Sequence, residues 1–395
     1  MKIDLVITEL DVGGAEQCLT NLAVYLHQHS HSVRVISLGP PPPPDRNRLQ
    51  VTLNNEKIET HFLDGRHAWH SVRVFSRLRR LVQQARPDIV QSFLFHANIL
   101  SAFAYSPRKV PIIGGARVVE PNWRRVQLSR IAAKRMHRIV CVSQSVANAC
   151  EIRERIPREK IVVIQNGASI TEDCTAGQCQ GQLQNDAVLE RTNYAQEQLG
   201  LAPSTPCLLF VGRLDYQKGT DALLERADRI LAALPQHNLI LIGDGPLKVV
   251  AQSNASQCIH EHRIHFTGRR DDVMKWMRAC DLLLLPTRYE GMPNVVIEAM
   301  SCGLPIVSTR AEGVAELLGQ AAKEQTVAVN DWDAWAEKVI RIASERESRL
   351  RLAKSNFERC LQQFNLADKL RQYEDLYLQT TAIGYRSIPI GGRKR

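Results

Sequence analysis

Strand-length apolar runs punctuate this chain, and longer stretches with helical spacing separate them. In the first half, Ile3–Ile7, Val33–Leu38, Ile89–Phe93, Ile112–Gly114, Ile139–Val142 and Val162–Ile164 read as strands. Ala15–Gln28, Val72–Ala85 and Trp123–Met136 read as helices between them. The alternation restarts at Cys207–Val211 and continues through Leu239–Ile242, Ile264–Thr267, Leu282–Pro286, Ile306–Ser308 and Val327–Val329. Strand and helix in alternation are the signature of a parallel α/β sheet. At 395 residues the chain is too long for one ordinary domain, so the doubled pattern predicts two such domains.

Punctuation marks the boundaries. Five consecutive prolines, Pro40–Pro44, can join neither a helix nor a central strand and predict an extended surface loop. Residues 169–199 are rich in Gln, Asn, Thr and Gly, and read as a linker with an insertion. The domains expected on either side are 1–168 and 200–364. Trp332–Ser344 and Glu345–Tyr377 read as closing helices, and 381–395 as a frayed basic tail.

Charge is unevenly shared. The net charge is +10, yet residues 1–170 hold 24 Lys/Arg against 13 Asp/Glu, so the remainder is close to neutral. The surplus clusters at Arg73, Arg77, Arg79 and Arg80, then at Arg124, Arg125, Arg130, Lys134, Arg135 and Arg138. A cationic half favours an anionic surface over a neutral one. No zinc-finger spacing or RNA-binding motif supports nucleic acid, so a membrane face or a phosphorylated ligand fits better; a plain solvated basic surface is the bland alternative. No apolar run approaches the ~20 residues of a membrane-spanning helix. The first residues, MKIDLVITEL, carry Asp4 and Glu9 and read as a strand rather than a signal peptide. Ten scattered cysteines without a CxxC pair or metal spacing suit a reducing cytoplasm.

The segment with most chemistry is Glu290-Gly-Met-Pro-Asn-Val-Val-Ile-Glu298, directly after an apolar strand. Gly291 removes a side chain where backbone must approach a ligand, and Pro293 suits a first helical turn. Amides around Gly291, Met292, Pro293 and Asn294 would then point across the strand end, where doubly wound sheets bind ligands. Taken alone, a strand, a turn and a helix with two surface glutamates would explain the same residues.

The segment resembles the E-x7-E motif of the family-4 glycosyltransferases. Other stretches resemble that family in the same order: Gly13-Gly-Ala-Glu16, Gln165-Asn-Gly167, Phe210-Val-Gly-Arg-Leu-Asp-Tyr-Gln-Lys-Gly219, Ile242-Gly-Asp-Gly-Pro246 and Phe266-Thr-Gly-Arg269. The resemblance implies an α/β GT-B fold, two facing Rossmann-like domains with parallel sheets and a cleft between them. It implies a retaining transfer of a sugar from a nucleotide diphosphate sugar. Arg213 and Lys218 match the family's diphosphate-binding pair, Glu298 the ribose-binding carboxylate, and Glu290 with the following amides the sugar-binding end. Gly13 and Gly14 match the opposite wall, and His96 an active-site histidine; Arg117 and Glu120 are further acceptor-side candidates. A helix within 365–380 is expected to cross back to the first domain.

The implied reaction needs no metal or other cofactor, because protein cations meet the leaving diphosphate. The implied partners are the sugar nucleotide and a sugar, lipid-linked or polysaccharide acceptor, with peripheral attachment to the inner face of a membrane. Two departures stand out. Gln17 replaces a common arginine, and the stretch after Gly313 lacks the family's glycine-rich turn. Two rival readings share the motifs: another GT-B enzyme, such as an epimerase or phosphorylase, and a silent sugar-nucleotide-binding scaffold.

Overall fold

The computed structural model describes residues 1–66, 71–120, 122–169 and 191–382. It divides into two compact units: residues 1–166 together with the last helix from Ala367, and Gly167–Leu366.

In the first unit the strands are β1 (Lys2–Ile7), β2 (Ser32–Ser37), β3 (Glu59–Phe62), β4 (Ile89–Phe93), β5 (Ile112–Ala116), β6 (Arg138–Cys141) and β7 (Ile161–Val163). They pair in parallel in the order β3-β2-β1-β4-β5-β6-β7. The second unit holds β8 (Cys207–Val211), β9 (Asn238–Ile242), β10 (Ile264–Gly268), β11 (Leu282–Leu285), β12 (Ile306–Thr309) and β13 (Thr326–Val327), in the order β10-β9-β8-β11-β12-β13. Both sheets therefore step outward from their first strand, then resume on its other side. The strand order reverses between β1 and β4 in one unit and between β8 and β11 in the other. Doubly wound sheets bind ligands at the carboxyl ends of the strands where the order reverses.

Burial explains why the apolar runs became central strands. All of Leu282–Leu285, Leu208–Phe210 and Leu239–Ile242 lie at or below 2% exposure. Asp4 is the exception, a carboxylate inside β1. Arg34 on β2 meets it with two hydrogen bonds of 2.9 and 2.8 Å, and the Tyr105 hydroxyl donates a third at 2.8 Å. A buried charge survives only when paired in this way. Burial still raises the Asp4 pKa, with Arg34 and Tyr105 pulling against it.

Several elements differ from the sequence expectation. β3 (sequence ETHF) has no apolar run, because it is an edge strand with no fully buried residue. The helices Arg48–Asn55, Phe95–Ala104 and Gln144–Ile152 were not expected, and the helix from Trp123 ends at Ala133 rather than Met136. The proline run is non-helical through Pro43, and Pro44 opens a short 3-10 turn to Arg46.

The stretch read as a linker over 169–199 is helical from Tyr194 to Leu199 and belongs to the second unit. Polar composition hid it. Gln196 is buried, and its amide donates to the Thr205 and Ala279 carbonyls at 2.8 and 3.3 Å. The rest of that expected linker, 170–190, lies outside the described residues, as does the tail beyond Ala382.

The long closing helix breaks at Phe364 into Arg346–Gln363 and Leu366–Ala382. The second piece packs in the first unit. Tyr373 and Tyr377 are buried there, and Glu374 accepts from the Tyr25 hydroxyl at 3.0 Å and pairs with His31 at 2.8 Å.

After Gly313 the chain forms a short helix, Val314–Leu318, a 3-10 turn and a second short helix, Ala322–Gln325, before β13. Gly313 has φ +77°, and a Cβ there would lie 2.1 Å from the Gly291 carbonyl oxygen. Gly313 and Gly319, φ +58°, are the two glycines that turn the chain where the family's glycine-rich segment is missing.

Candidate functional site

In the second unit, the loops after β8 and β11 carry the expected charged residues to the point of strand reversal. Arg213, two residues past β8, is 64% exposed and donates to Asp215. Asp215 is buried and also accepts from the Lys218 amide at 2.9 Å, closing the loop on itself. The Lys218 ammonium reaches across to Glu290 Oε1 at 2.5 Å. Thr287 Oγ1 lies 3.0 Å from the same oxygen.

Gly219 ends the first loop in the left-handed region, φ +69°, where a Cβ would sit 1.8 Å from the Pro286 carbonyl oxygen. Only glycine lets the two loops approach that closely. The Lys218 ammonium is thereby held against the Glu290 carboxylate, with Arg213 paired to Asp215 on the same loop as Lys218.

Further contacts fasten the loops together. The Arg288 amide donates to the Gln217 carbonyl at 2.8 Å, and the Gln217 amide donates to the Tyr289 carbonyl at 3.0 Å. Arg288 binds Asp221 through both Nη atoms at 2.8 Å, donates to the Tyr216 carbonyl at 2.6 Å and stacks 3.7 Å over the Tyr216 ring. Burial raises the Asp221 pKa, but the Arg288 hydrogen bonds outweigh it and leave the carboxyl below its usual value. None of these partners is near Arg288 in sequence except Tyr289, so sequence reasoning missed the clamp.

The rest of the motif is placed as follows. The helix runs Asn294–Ser301 with Pro293 at its cap rather than inside its first turn. Gly291, Met292 and Pro293 are buried, and Asn294 and Glu298 are half-buried. The Glu290 amide lies 3.4 Å from a carboxylate oxygen of Glu312, an exposed residue that the sequence reading did not single out.

In the first unit, Gly13 caps the helix Gly14–Gln28 in extended conformation, φ −157°, which any residue adopts. A Cβ at Gly13 would lie 2.2 Å from a carboxylate oxygen of Glu16, the far end of a flexible side chain that would have to shift. Glu16 is 8% exposed. Burial pushes its pKa up to about 7, its own amide pulls it down, and Glu9 adds to the rise. A glutamate three residues after Gly13 is the one local hint of this burial.

His96 sits in the first turn of Phe95–Ala104, exposed, after Leu94 with φ +71°. Partial burial and then Arg125 lower its pKa below the usual 6.5, so it is neutral at pH 7.

Arg117 does not face outward. It is buried, donating to Asn166 Oδ1 at 2.7 Å, Cys18 Sγ at 3.1 Å and the Tyr373 hydroxyl at 3.3 Å, with its guanidinium 5.0 Å from the Phe93 ring. It ties the end of β5 to two helices and also lines a cavity shared with Glu120. Glu120 accepts from the Asn122 amide at 3.0 Å and lines a cavity of about 80 Å³ with Glu154, Phe95 and Met136.

The basic clusters of this unit are largely at the surface. Arg73, Arg79 and Arg80 are exposed on Ser71–Ala85. Arg124, Arg125 and Lys134 are exposed along Trp123–Ala133 and its end, beside Trp123, Leu128 and Ile131 at 69%, 47% and 49% exposure. No described helix is long and apolar enough to cross a membrane. Eight cysteines among the described residues are free thiols.

Comparison with known proteins fits this geometry. The structure is similar to that of Anabaena Alr3699/HepE in complex with UDP-glucose, with a TM-score of 0.79 over 96% of this chain and all of the other, at 20% identity. At that identity the likeness shows the fold, two parallel α/β domains of GT-B type. The class is that of a GT-B glycosyltransferase.

Residues 12–172 match the model of Glycosyltransferase Family 4, and residues 193–359 that of Glycosyl transferases group 1, together most of the chain. The protein belongs to the family-4 glycosyltransferases. It is 24% identical over 313 residues to an Escherichia coli UDP-Gal:alpha-D-GlcNAc-diphosphoundecaprenol alpha-1,3-galactosyltransferase, covering 76% of this chain and 78% of that protein. It is 29% identical over 177 residues to the lipopolysaccharide core biosynthesis glycosyltransferase LpsE of Rhizobium meliloti, 45% of this chain and 50% of that one.

Proposed function

We propose that this enzyme transfers a hexosyl group from a nucleoside diphosphate sugar, with retention, to a lipid-linked or cell-surface polysaccharide precursor. The observation that carries the proposal is the grouping of Arg213, Lys218 and Glu290 where the second sheet reverses its strand order. Cleaving the bond between the anomeric carbon and a phosphate oxygen leaves a diphosphate whose negative charge grows in the transition state. Cations fixed beforehand at that point lower the barrier. Arg213 and Lys218 fill that role without a metal ion, Glu298 accepts from the ribose hydroxyls, and Glu290 with the amides of Gly291 to Asn294 holds the sugar.

The new bond forms on the face the leaving group departs from, through an oxocarbenium-like state. The acceptor hydroxyl gives its proton to the departing phosphate oxygen. On the other domain, Gly13, Gly14 and the neutral His96 border the acceptor. A relative named for a diphosphoundecaprenol acceptor and another named for lipopolysaccharide core synthesis support the acceptor class.

Exposed Trp123, Leu128 and Ile131 among arginines support peripheral attachment to an anionic bilayer. Each basic residue near such a surface contributes about 1 kcal/mol, an effect that salt screens. Stronger co-sedimentation with anionic than with neutral vesicles at low salt is expected; equal binding to both would leave a soluble acceptor.

The principal test is a thermal-shift series with UDP, GDP, ADP, CMP and their sugars, followed by product analysis with the selected donor. One diphosphate series should stabilise the protein, and the α-configured donor should give an α-linked product. No stabilisation by any diphosphate, or a β-linked product, would overturn the reading.

A further inference from the structure

We infer that Arg288 is a positioning residue for the transfer: it locks the segment that carries Lys218 to the loop carrying Glu290. The inference rests on the proposed role of Lys218 and goes beyond it, because no part of Arg288 contacts Lys218 or Glu290 in the structure's hydrogen bonds.

Its side chain is 12% exposed and engages the first loop at three kinds of atom. Both Nη atoms bind Asp221 in the helix after Gly219, one Nη binds the Tyr216 carbonyl, and the plane stacks on the Tyr216 ring. Its amide takes the next carbonyl, that of Gln217. The residues it grips, 216, 217 and 221, bracket Lys218. On its own loop, Thr287 precedes it and Glu290 follows two positions later. The Lys218–Glu290 ion pair spans the same two loops, so the clamp fixes the separation of the pair from outside.

The fork and the stacking are matched to arginine. A lysine at 288 would keep one charge near Asp221 but could neither bind two oxygens in plane nor stack. Arg288 is therefore the part of the motif region that depends most on its own side chain while standing off the reacting atoms. A loop carrying a charge-stabilising cation that drifts by about 1 Å can cost on the order of 100-fold in rate, because the cation acts mainly in the transition state.

The test uses the full chain, the donor selected by thermal shift, and four variants: Arg288→Ala, Arg288→Lys, Lys218→Ala and the Arg288→Ala/Lys218→Ala double. Arg288→Ala should lower kcat by roughly 10- to 100-fold with donor KM nearly unchanged. Arg288→Lys should fall between it and wild type, and remains informative if the alanine variant folds poorly. A merely structural arginine would lower the melting temperature and the active fraction, and its loss would multiply with that of Lys218. A positioning arginine acts through Lys218, so the double variant should be no slower than Lys218→Ala alone. Wild-type kcat in both Arg288 variants, or multiplicative losses in the double, would overturn the inference. Wild-type turnover in Lys218→Ala would instead overturn the underlying assignment of Lys218.

Discussion

The two sheets share one plan and differ in what they place at the reversal of strand order. Between β8 and β11 the loops are zipped together, with an ion pair, an arginine clamp and a glycine forced to positive φ. Between β1 and β4 the glycine turn packs against its own Glu16, a carboxyl titrating near neutrality, and His96 stands exposed and neutral in the first turn of the helix after β4. One crevice is built around fixed opposite charges, as a site for developing phosphate charge would be. The other carries a carboxyl with a raised pKa, Glu16, and a histidine with a lowered one, His96, in the helices that follow its two strands. The outer surface divides the same way, with the cationic surplus almost wholly in the first half of the chain.

The largest effect should come from the fixed charges. Lys218→Ala or Arg213→Ala is expected to lower turnover by roughly 10²–10³-fold with melting temperature little changed for Arg213, which is mostly exposed. Steady-state kinetics with the selected donor decides this, and wild-type rates would erase the contrast between the units. Next, Glu298→Gln should weaken nucleotide binding by roughly 1–3 kcal/mol by calorimetry. Unchanged affinity would move the ribose site away from the second glutamate of the motif.

His96→Ala should reduce kcat more than donor affinity. In wild type the rate should fall as pH drops through the His96 pKa, which lies below 6.5. A pH profile unaltered by the substitution would remove His96 from the acceptor wall.

The smallest effect concerns stability. Glu16 has a folded pKa of about 7, above its unfolded 4.5, so the folded state holds the proton more tightly. Stability carried by Glu16 is full below pH 4.5 and is lost as pH rises through 7. Glu16→Gln should therefore raise the melting temperature at pH 8 and change it little at pH 4.5. An equal shift at both pH values would show that Glu16 is not buried as described.

The sequence showed the sheets well where burial is complete. Cys207–Val211 and Ile89–Phe93 were legible to the residue because apolar residues dominate central strands, and the polar Gln91 and Ser92 of the second are flanked by Ile89, Val90 and Phe93. Glu59–Phe62 was not, since an edge strand carries no such run. Helix Tyr194–Leu199 was hidden by polar residues such as Gln196, whose Nε2 finds its acceptors, Thr205 and Ala279, only in the fold.

At the site, the motif residues were legible through resemblance, but their partners were not. Arg117 was singled out as an acceptor-side candidate, but its partners Asn166 and Tyr373 lie 49 and 256 residues away and left no local trace. Arg288 and Asp221 are 67 residues apart, and no local pattern links them. Hydrogen bonds between loops are products of topology, and topology follows from the strand order rather than from any one segment.

The claim that the second unit binds the donor diphosphate can be tested by calorimetry of the selected nucleoside diphosphate with wild type, an Arg213→Ala/Lys218→Ala double variant and His96→Ala. The account predicts affinity lost by on the order of 100-fold in the double variant, through removal of two charge-assisted contacts, and retained in His96→Ala. Wild-type affinity in the double variant, or its loss in His96→Ala alone, would contradict it.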